Sequence, residues 1–405
     1  MRILIPTIGS RGDVQPFIAL AQGLARAGHA VTLATHPAMQ SLAQSHGVAF
    51  RPIGPDLDLA RTFAAIRQNS RSAVAGLVRA MRFSLDMLEQ CHGDVLALCR
   101  EADLAVISAQ SAAGKNEADL LGLPYLSATL MPWAIPWEDP QRPLWRRMAY
   151  GLIDGFAALL TTGPLNRIRK RQGLPPVGKE GFTSLRLNLV PVSPAVYEPN
   201  PRWEARHRMV GYWFADEPAG WQPPADLIAF LEAGEPPVLV SLGAMSVGNG
   251  DGQEVAGLFL DALQQAGVRA IVQGWETAMS TMALPPTVHA AGSLPHGWLL
   301  PRCAAIVHHG GFGTTAAGLR AGLPALVIPH MADQFYWARI VHDLGAGPPP
   351  VRRARLTAAA LVLSLQELVQ DDQLRERASS LGQQIRAEDG VGNAVRQIEQ
   401  EFLEQ

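Results

Sequence analysis

At 405 residues the chain is long enough for two domains of ordinary size, which excludes a lone recognition module. Its composition, 48% hydrophobic against 17% charged, supports ample cores and excludes a disordered chain. A net charge of −2, with no long run of one sign, leaves no footprint for a nucleic-acid backbone and excludes that class of partner.

Ile3-Leu4-Ile5 opens the chain as a strand. The apolar run stops at Pro6 and Gly9, short of a signal segment or a membrane span, so a soluble protein is expected. A helix from Phe17 toward Gly28 and a strand at Val31–Ala34 follow, and Leu104–Ile107 and Leu187–Val190 continue the rhythm. Short apolar strands alternating with helices, with Gly or Pro at the joins, predict a parallel sheet covered by helices. Cys91, Cys99 and Cys303 make no CxxC pair, which fits neither a disulfide framework nor a zinc site and points to a reducing cytoplasm.

Between Tyr197 and Pro237 the rhythm loosens. Pro199, Pro201, Pro218, Pro223, Pro224, Pro236 and Pro237 punctuate a stretch holding Trp203, Trp213 and Trp221, the composition of a domain boundary that packs. The alternation restarts at Val238–Leu242 and runs through Ala270–Gln273, Ala304–Val307 and Ala325–Ile328, giving two α/β halves of about 200 residues each. Near the end, Leu361, Leu365 and Leu368 predict a helix capped by Thr357 and broken at Gly390–Gly392, before a last helix from Asn393.

The strongest chemical signal is Ile306–Thr315, where Gly310, Gly311 and Gly313 sit in a strand-to-helix turn. Such glycines let the backbone approach a ligand, and free N–H groups at a helix start favour an anion, so a phosphate-bearing ligand is expected. His309 adds a side-chain donor and Thr314 a hydroxyl; the competing reading is a tight turn whose threonines only cap the helix. No GxGxxG with a following acidic residue and no complete Walker A is present, which disfavours nicotinamide and P-loop chemistry.

A second turn, Gly9–Pro16, follows the first strand. Asp13 is expected where the helix begins, as an N-cap with Pro16 in the first turn; a catalytic reading needs its carboxylate to face a cleft. Asp333 and Gln334 follow a strand end, where open α/β sheets bind ligands, and together suit vicinal hydroxyls. Asp56-Leu57-Asp58 has the form of a metal motif but lies in a Pro/Gly-flanked loop, whereas hard cations want several oxygen ligands in a defined cage, and His308 and His309 as neighbours point to opposite sides, so no metal is required. Arg142, Arg146 and Arg147 with Trp133, Trp137 and Trp145, followed by Arg167–Arg171, read first as a solvated face and second as a transient contact with a membrane surface.

In combination, Gly9–Pro16, Pro237–Gly243, Leu294–Pro301, Val307–Thr315 and Asp333-Gln334 resemble the inverting, nucleotide-sugar-dependent glycosyltransferases of family 1, nearest the sterol glucosyltransferases and bacterial natural-product glycosyltransferases. The resemblance covers nearly the whole chain. It implies the GT-B fold, two Rossmann-like α/β/α domains facing each other across a cleft. The acceptor-binding domain is expected at about residues 1–205, the donor-binding domain at 206–385, and a final helix at 386–405 crossing back to the first.

It also implies site roles. His309, Gly311, Phe312, Gly313 and Thr314 would hold the donor diphosphate, with Ser10, Gly12, Ser241 and Gly243 completing that shell. Ser293 and Leu294 would meet the nucleobase, and Asp333 and Gln334 the sugar hydroxyls. Asp13 stands where plant members carry a catalytic histidine, as in the sterol and antibiotic branches; Ser293 replaces their base-stacking aromatic, which leaves uracil against thymine open.

The implied reaction moves a hexose, first of all glucose from UDP-glucose, onto a hydroxyl of a hydrophobic acceptor such as a sterol, lipid, polyketide or phenol. Asp13 acts as general base, without cofactor or metal. The alternatives are a dTDP-deoxysugar donor, a sugar-nucleotide epimerase and a non-catalytic nucleotide-sugar binder. The expected partners are the donor and the acceptor, with the protein a monomer or homodimer.

Overall fold

The structure is a computed structural model that describes residues 1–57, 62, 65, 73–135, 162, 165–178, 182–242, 252–275, 279, 282–330 and 333–402. The chain divides into two compact units. The described residues of 1–57, 73–216 and 389–402 belong to the first, and Glu217–Glu388 to the second.

The first unit is built on a seven-stranded parallel sheet in the order β3-β2-β1-β4-β5-β6-β7. Its strands are β1 (Arg2–Pro6), β2 (Ala30–Thr35), β3 (Phe50–Pro52), β4 (Leu104–Ser108), β5 (Tyr125–Ala128), β6 (Asn188–Val190) and β7 (His207–Met209). Connecting helices include α1 (Arg11–Arg26), α2 (Gln40–Ser45), α3 (Ala73–Cys99) and α4 (Lys115–Leu121). Ile3, Leu4 and Ile5 are buried in succession because helices cover both faces of a parallel sheet, so adjacent residues are all apolar. Phe17, Leu20 and Leu24 of α1 pack onto that core, and Trp213 meets Phe17 edge to face at 5.9 Å.

The second unit has a five-stranded parallel sheet ordered β10-β9-β8-β11-β12. The strands are β8 (Val238–Ser241), β9 (Ala270–Gln273), β10 (Val288–Ala291), β11 (Ala305–His308) and β12 (Ala325–Val327). Around them stand α5 (Ala225–Glu232), α6 (Gly252–Ala266), α7 (His296–Leu299), α8 (Phe312–Ala321), α9 (Gln334–Asp343), α10 (Ala358–Gln370) and α11 (Asp372–Ala387). The last helix, α12 (Gly390–Phe402), belongs to the first unit, where Ala394, Val395 and Ile398 join the core beneath α1.

In each sheet the strand order reverses once. The chain leaves β1 toward β2 and β3, then returns beside β1 as β4; likewise it leaves β8 toward β9 and β10 and returns beside β8 as β11. The loops at the carboxyl ends of such a pair diverge and open a crevice, where ligands of doubly wound sheets bind.

Three local expectations are corrected. Helix α1 starts at Arg11, not at Asp13: Ser10 is its N-cap and Asp13 its third residue, so Pro16 lies in the second turn and the Gly12 carbonyl loses its helical donor. The helix expected from Thr357 to Gly390 is two helices, because the Asp371 side chain accepts from the N–H groups of Gln373 and Leu374 and starts α11. The last helix begins at Gly390 rather than Asn393, because Asp389 takes the Gly392 N–H at 2.9 Å on its side chain.

Thr357 caps α10 as expected, accepting the Ala360 N–H at 3.2 Å. The Arg167–Arg171 run is not wholly a solvated face: Arg169 is buried, its guanidinium held by Asn116 at 3.0 Å and Asp119 at 2.6 Å. Arg142, Arg146, Arg147, Trp137, Trp145 and Asp58 lie outside the described residues. Among the described residues, no helix is long and apolar enough to cross a membrane. The three cysteines are buried and unpaired.

Candidate active site

In the second unit the order reversal sets the ends of β8 and β11 side by side, with Ser241 in register with His308. From there the chain makes a left-handed turn at Gly310, φ 88°, and enters α8 with Gly311 as its N-cap. A Cβ at Gly310 would lie 2.9 Å from the Gln334 carbonyl oxygen and from Val327, so both conformation and space demand glycine. At Gly311 a Cβ would strike the His309 ring.

At Gly313 a Cβ would meet nothing within 4 Å, although this is the first turn of a helix at the carboxyl edge of a buried sheet. Gly311 has no side chain to cap the helix, and its carbonyl takes the Thr315 N–H at 2.9 Å as the first intrahelical bond. The N–H groups of Phe312, Gly313 and Thr314 therefore have no partner in the helix and carry the positive end of its dipole. Thr315 spends its hydroxyl on the Gly311 carbonyl at 2.9 Å, while the Thr314 hydroxyl carries no bond to the described residues. The arrangement has the form of an open, preformed anion seat. Phe312 contributes its N–H only, because its ring packs on buried Trp337 with centroids 5.6 Å apart.

His309 lies beside this seat against the Ser241 carbonyl and stacks on His330 at 6.4 Å. Burial pushes its imidazole down to about 4, so near neutral pH it is an uncharged hydrogen-bonding group rather than a cation. Its Nδ1 is buried with no partner among the described residues, a capacity that a ligand would satisfy.

Asp333 is the N-cap of α9 and does not spend its side chain on the cap. Gln334 is buried, and its Oε1 accepts the His330 N–H at 2.8 Å, so part of its capacity already holds the loop. Ser293 is exposed and Leu294 buried just past β10, at the far edge of the same sheet. Gly243 lies outside the described residues.

In the first unit the turn after β1 sits at the other order reversal, between the ends of β1 and β4. Asp13 folds back over Gly9, where a Cβ would be 2.6 Å from its Oδ2. That oxygen accepts the Ser10 N–H and the Ser10 hydroxyl, each at 2.8 Å, the first being the carboxylate half of a capping box. Oδ1 keeps its lone pairs, with no bond to the described residues. Burial raises the Asp13 carboxyl above the ordinary carboxylate range, opposed by the two Ser10 bonds. Gly12 is exposed beside it, and a Cβ there would come no closer than 3.7 Å to Ser10 Oγ.

Sequence reasoning missed two residues here. His36, at the end of β2, is buried and bonds the Gly9 carbonyl through Nε2 at 2.9 Å, tying down the turn that carries Asp13. His308 was weighed only as a metal ligand, yet its Nδ1 accepts the Gly310 N–H at 3.0 Å. In both cases the available signal was a histidine at the carboxyl end of a short strand of a parallel sheet. Among the described residues, no cluster of three or more His, Cys, Asp or Glu stands close enough to hold a metal ion.

Two doubly wound units, each with its candidate site residues at an order reversal, have the GT-B class of glycosyltransferase fold. Solved members share it over the full chain: the kitacinnamycin glycosyltransferase at TM-score 0.75, 21% identity and 99% of both chains, and VinC in complex with DTDP at 0.74, 22% and 100% of both. The Glycosyltransferase family 28 N-terminal domain matches residues 3–135, and the Erythromycin biosynthesis protein CIII-like C-terminal domain matches residues 258–400. The chain is 34% identical to the O-mycaminosyltylonolide 6-deoxyallosyltransferase of Streptomyces fradiae, over 99% of this chain and 97% of that one. It is 32% identical to the sterol 3-beta-glucosyltransferase of Aspergillus clavatus over 98% of this chain, but spans only 29% of that protein's length. The chain therefore belongs to this family of glycosyltransferases, with sterol and macrolide enzymes as relatives.

Proposed function

We propose that the protein transfers a hexose from a nucleoside diphosphate sugar to a hydroxyl of a hydrophobic acceptor by direct displacement with inversion. The observation that carries this reading is the open first turn of α8, where N–H groups with no acceptor inside the helix stand beside the bare Gly313, which suits a departing diphosphate. Asp13 Oδ1 takes the acceptor proton. Its carboxyl, raised by burial and oriented by Ser10, is a better base than a free aspartate. The negative charge that grows on the leaving diphosphate meets fixed N–H dipoles and the neutral His309, so the reaction is proposed to need no metal.

UDP-glucose is the first donor to test, in keeping with the sterol relatives. A dTDP-deoxysugar is the second reading, favoured by the near full-length match to the Streptomyces fradiae enzyme. The acceptor is a sterol, macrolide or comparable hydrophobic alcohol or phenol.

The experiment is release of nucleoside diphosphate from a panel of UDP- and dTDP-sugars, with and without hydroxylated hydrophobic acceptors, read together with the mass of the acceptor. Acceptor-dependent release with a matching mass gain is expected. An altered sugar nucleotide formed without acceptor points instead to an epimerase, and donor binding with no product across the panel to a non-catalytic binder.

A further inference from the structure

His308 is the last residue of β11, fully buried between Ser241 of β8 and Val327 of β12. Its backbone carbonyl continues the sheet by accepting the Ile328 N–H at 2.8 Å, so the residue is fixed from both sides. Its side chain does something the sheet does not need. Nδ1 accepts the N–H of Gly310, two residues on, at 3.0 Å. An acceptor at i bonding the N–H at i+2 is the pattern by which an asparagine or aspartate forms an Asx turn, here made by an imidazole.

The bond has two geometric consequences. It points the Gly310 N–H inward, away from any ligand, and so leaves the anion seat to the N–H groups of Phe312, Gly313 and Thr314. It also holds Gly310 at φ 88° against the Gln334 backbone, in a loop whose Gln334 side chain takes the His330 N–H at 2.8 Å. One imidazole thereby sets the turn entering α8 and the contact with the Asp333-Gln334 loop.

With Nδ1 accepting, the ring hydrogen sits on Nε2, which is buried and has no partner among the described residues. A buried unpaired N–H is unfavourable and is rarely retained where only packing is at stake. Packing alone would be served by an apolar residue, as at Ile306, Leu239 and Ile271 on the same face of the sheet.

We infer that His308 is a positioning residue of the donor site: by taking the Gly310 N–H it presets the turn that aims the first N–H groups of α8 at the diphosphate. The inference rests on the transferase reading above. His308 touches no reacting atom; it acts through Gly310. Burial, with the neighbouring His309 and His296, pushes its imidazole down to about 3, so the acceptor lone pair on Nδ1 persists into mildly acidic solution.

The test compares the intact wild type with His308→Asn, His308→Gln and His308→Leu. The probes are UDP and dTDP by calorimetry, and uridine and thymidine by ligand-observed NMR. An asparagine oxygen falls near the place of Nδ1 and a glutamine oxygen near that of Nε2, so the first restores the Gly310 bond and the second does not. Expected is a loss of at least about tenfold in affinity for the diphosphate that the wild type binds, in the Gln and Leu variants, the scale of one displaced charge-assisted bond. Nucleoside affinity is unchanged in all, and the Asn variant stays within about threefold of wild type.

Wild-type diphosphate affinity in both the Gln and Leu variants overturns the assignment. So does a parallel loss of nucleoside binding, or an Asn variant as weak as the others. Because Asn and Gln are both polar and similarly buried, a folding defect in the Leu variant leaves the comparison intact. Failure of the wild type to bind either diphosphate overturns the donor reading itself and the inference with it, an outcome distinct from the rest.

Discussion

At the residue scale the site is a set of small groups whose neighbours dictate their identity. Asp13 is held by Ser10 through one oxygen only, which separates its structural use from the chemical one proposed for it. Asp13→Asn keeps an oxygen for Ser10, so it should fold as wild type while turnover falls at least about a hundredfold, the lower range for losing a general base. Circular dichroism with steady-state rates checks both halves, and near-normal turnover removes Asp13 from the mechanism. Gly313 has the opposite character, since nothing in its surroundings requires glycine. Gly313→Ala should therefore stabilise α8, by up to about 1 kcal/mol, yet weaken UDP or dTDP binding at least about tenfold by filling the place proposed for the phosphate. A melt and a titration on the same sample read both effects. The buried pair His308 and His309 gives a pH signature. Their folded values, about 3 and about 4, lie below the ordinary 6.5, so the unfolded chain binds two protons that the native one does not. Stability from this pair is full above pH 6.5 and declines as pH falls toward 4, at roughly 2–3 kcal/mol per pH unit once both are charged in the unfolded state. Chemical denaturation at pH 7, 6 and 5 checks the slope, and His308→Asn should reduce it by about half.

At the element scale, strands were easier to foresee than helix ends. The apolar runs of β1, β4, β8 and β11 show in the sequence because strands buried on both faces leave little place for polar residues. The turn before α8 shows too, since three glycines follow an apolar strand. What did not show was capping by a carboxylate: Asp371 divides α10 from α11, and Asp389 lets Gly390 and Gly392 begin α12 instead of ending its predecessor. Gly390 is needed for close approach, since a Cβ there would overlap the Tyr212 carbonyl, a tertiary reason that no local pattern contains. The bond from His308 to Gly310 was equally hidden, because it depends on a side-chain direction at the end of a strand. Helix α12 supplies a measurable case. Ile398 is fully buried in the first unit's core, so Ile398→Ala should cost about 2–4 kcal/mol. The loss should appear in hydrogen exchange of β1 and α1 while the strands of the second unit keep their protection. Equal loss in both units would contradict the division.

At the scale of the whole molecule, the proposed reaction assigns proton transfer to the first unit and leaving-group stabilisation to the second. If backbone dipoles and a neutral histidine suffice for the diphosphate, activity should persist within about twofold after EDTA treatment. A fall that magnesium or manganese restores would assign part of that work to a divalent cation. The two order reversals, β1 with β4 and β8 with β11, explain why a chain without a visible internal repeat places its candidate site residues twice in equivalent positions.

The path of the chain also bears on how the protein is made. Ala394, Val395 and Ile398 complete the core around α1, yet the ribosome delivers them only after all of Glu217–Glu388. The unit whose first strand is translated first is thus the last to be finished. During synthesis its sheet must wait, with part of its core uncovered, while the later unit can close at once, so nascent-chain aggregation and chaperone demand should concentrate on the amino-terminal half.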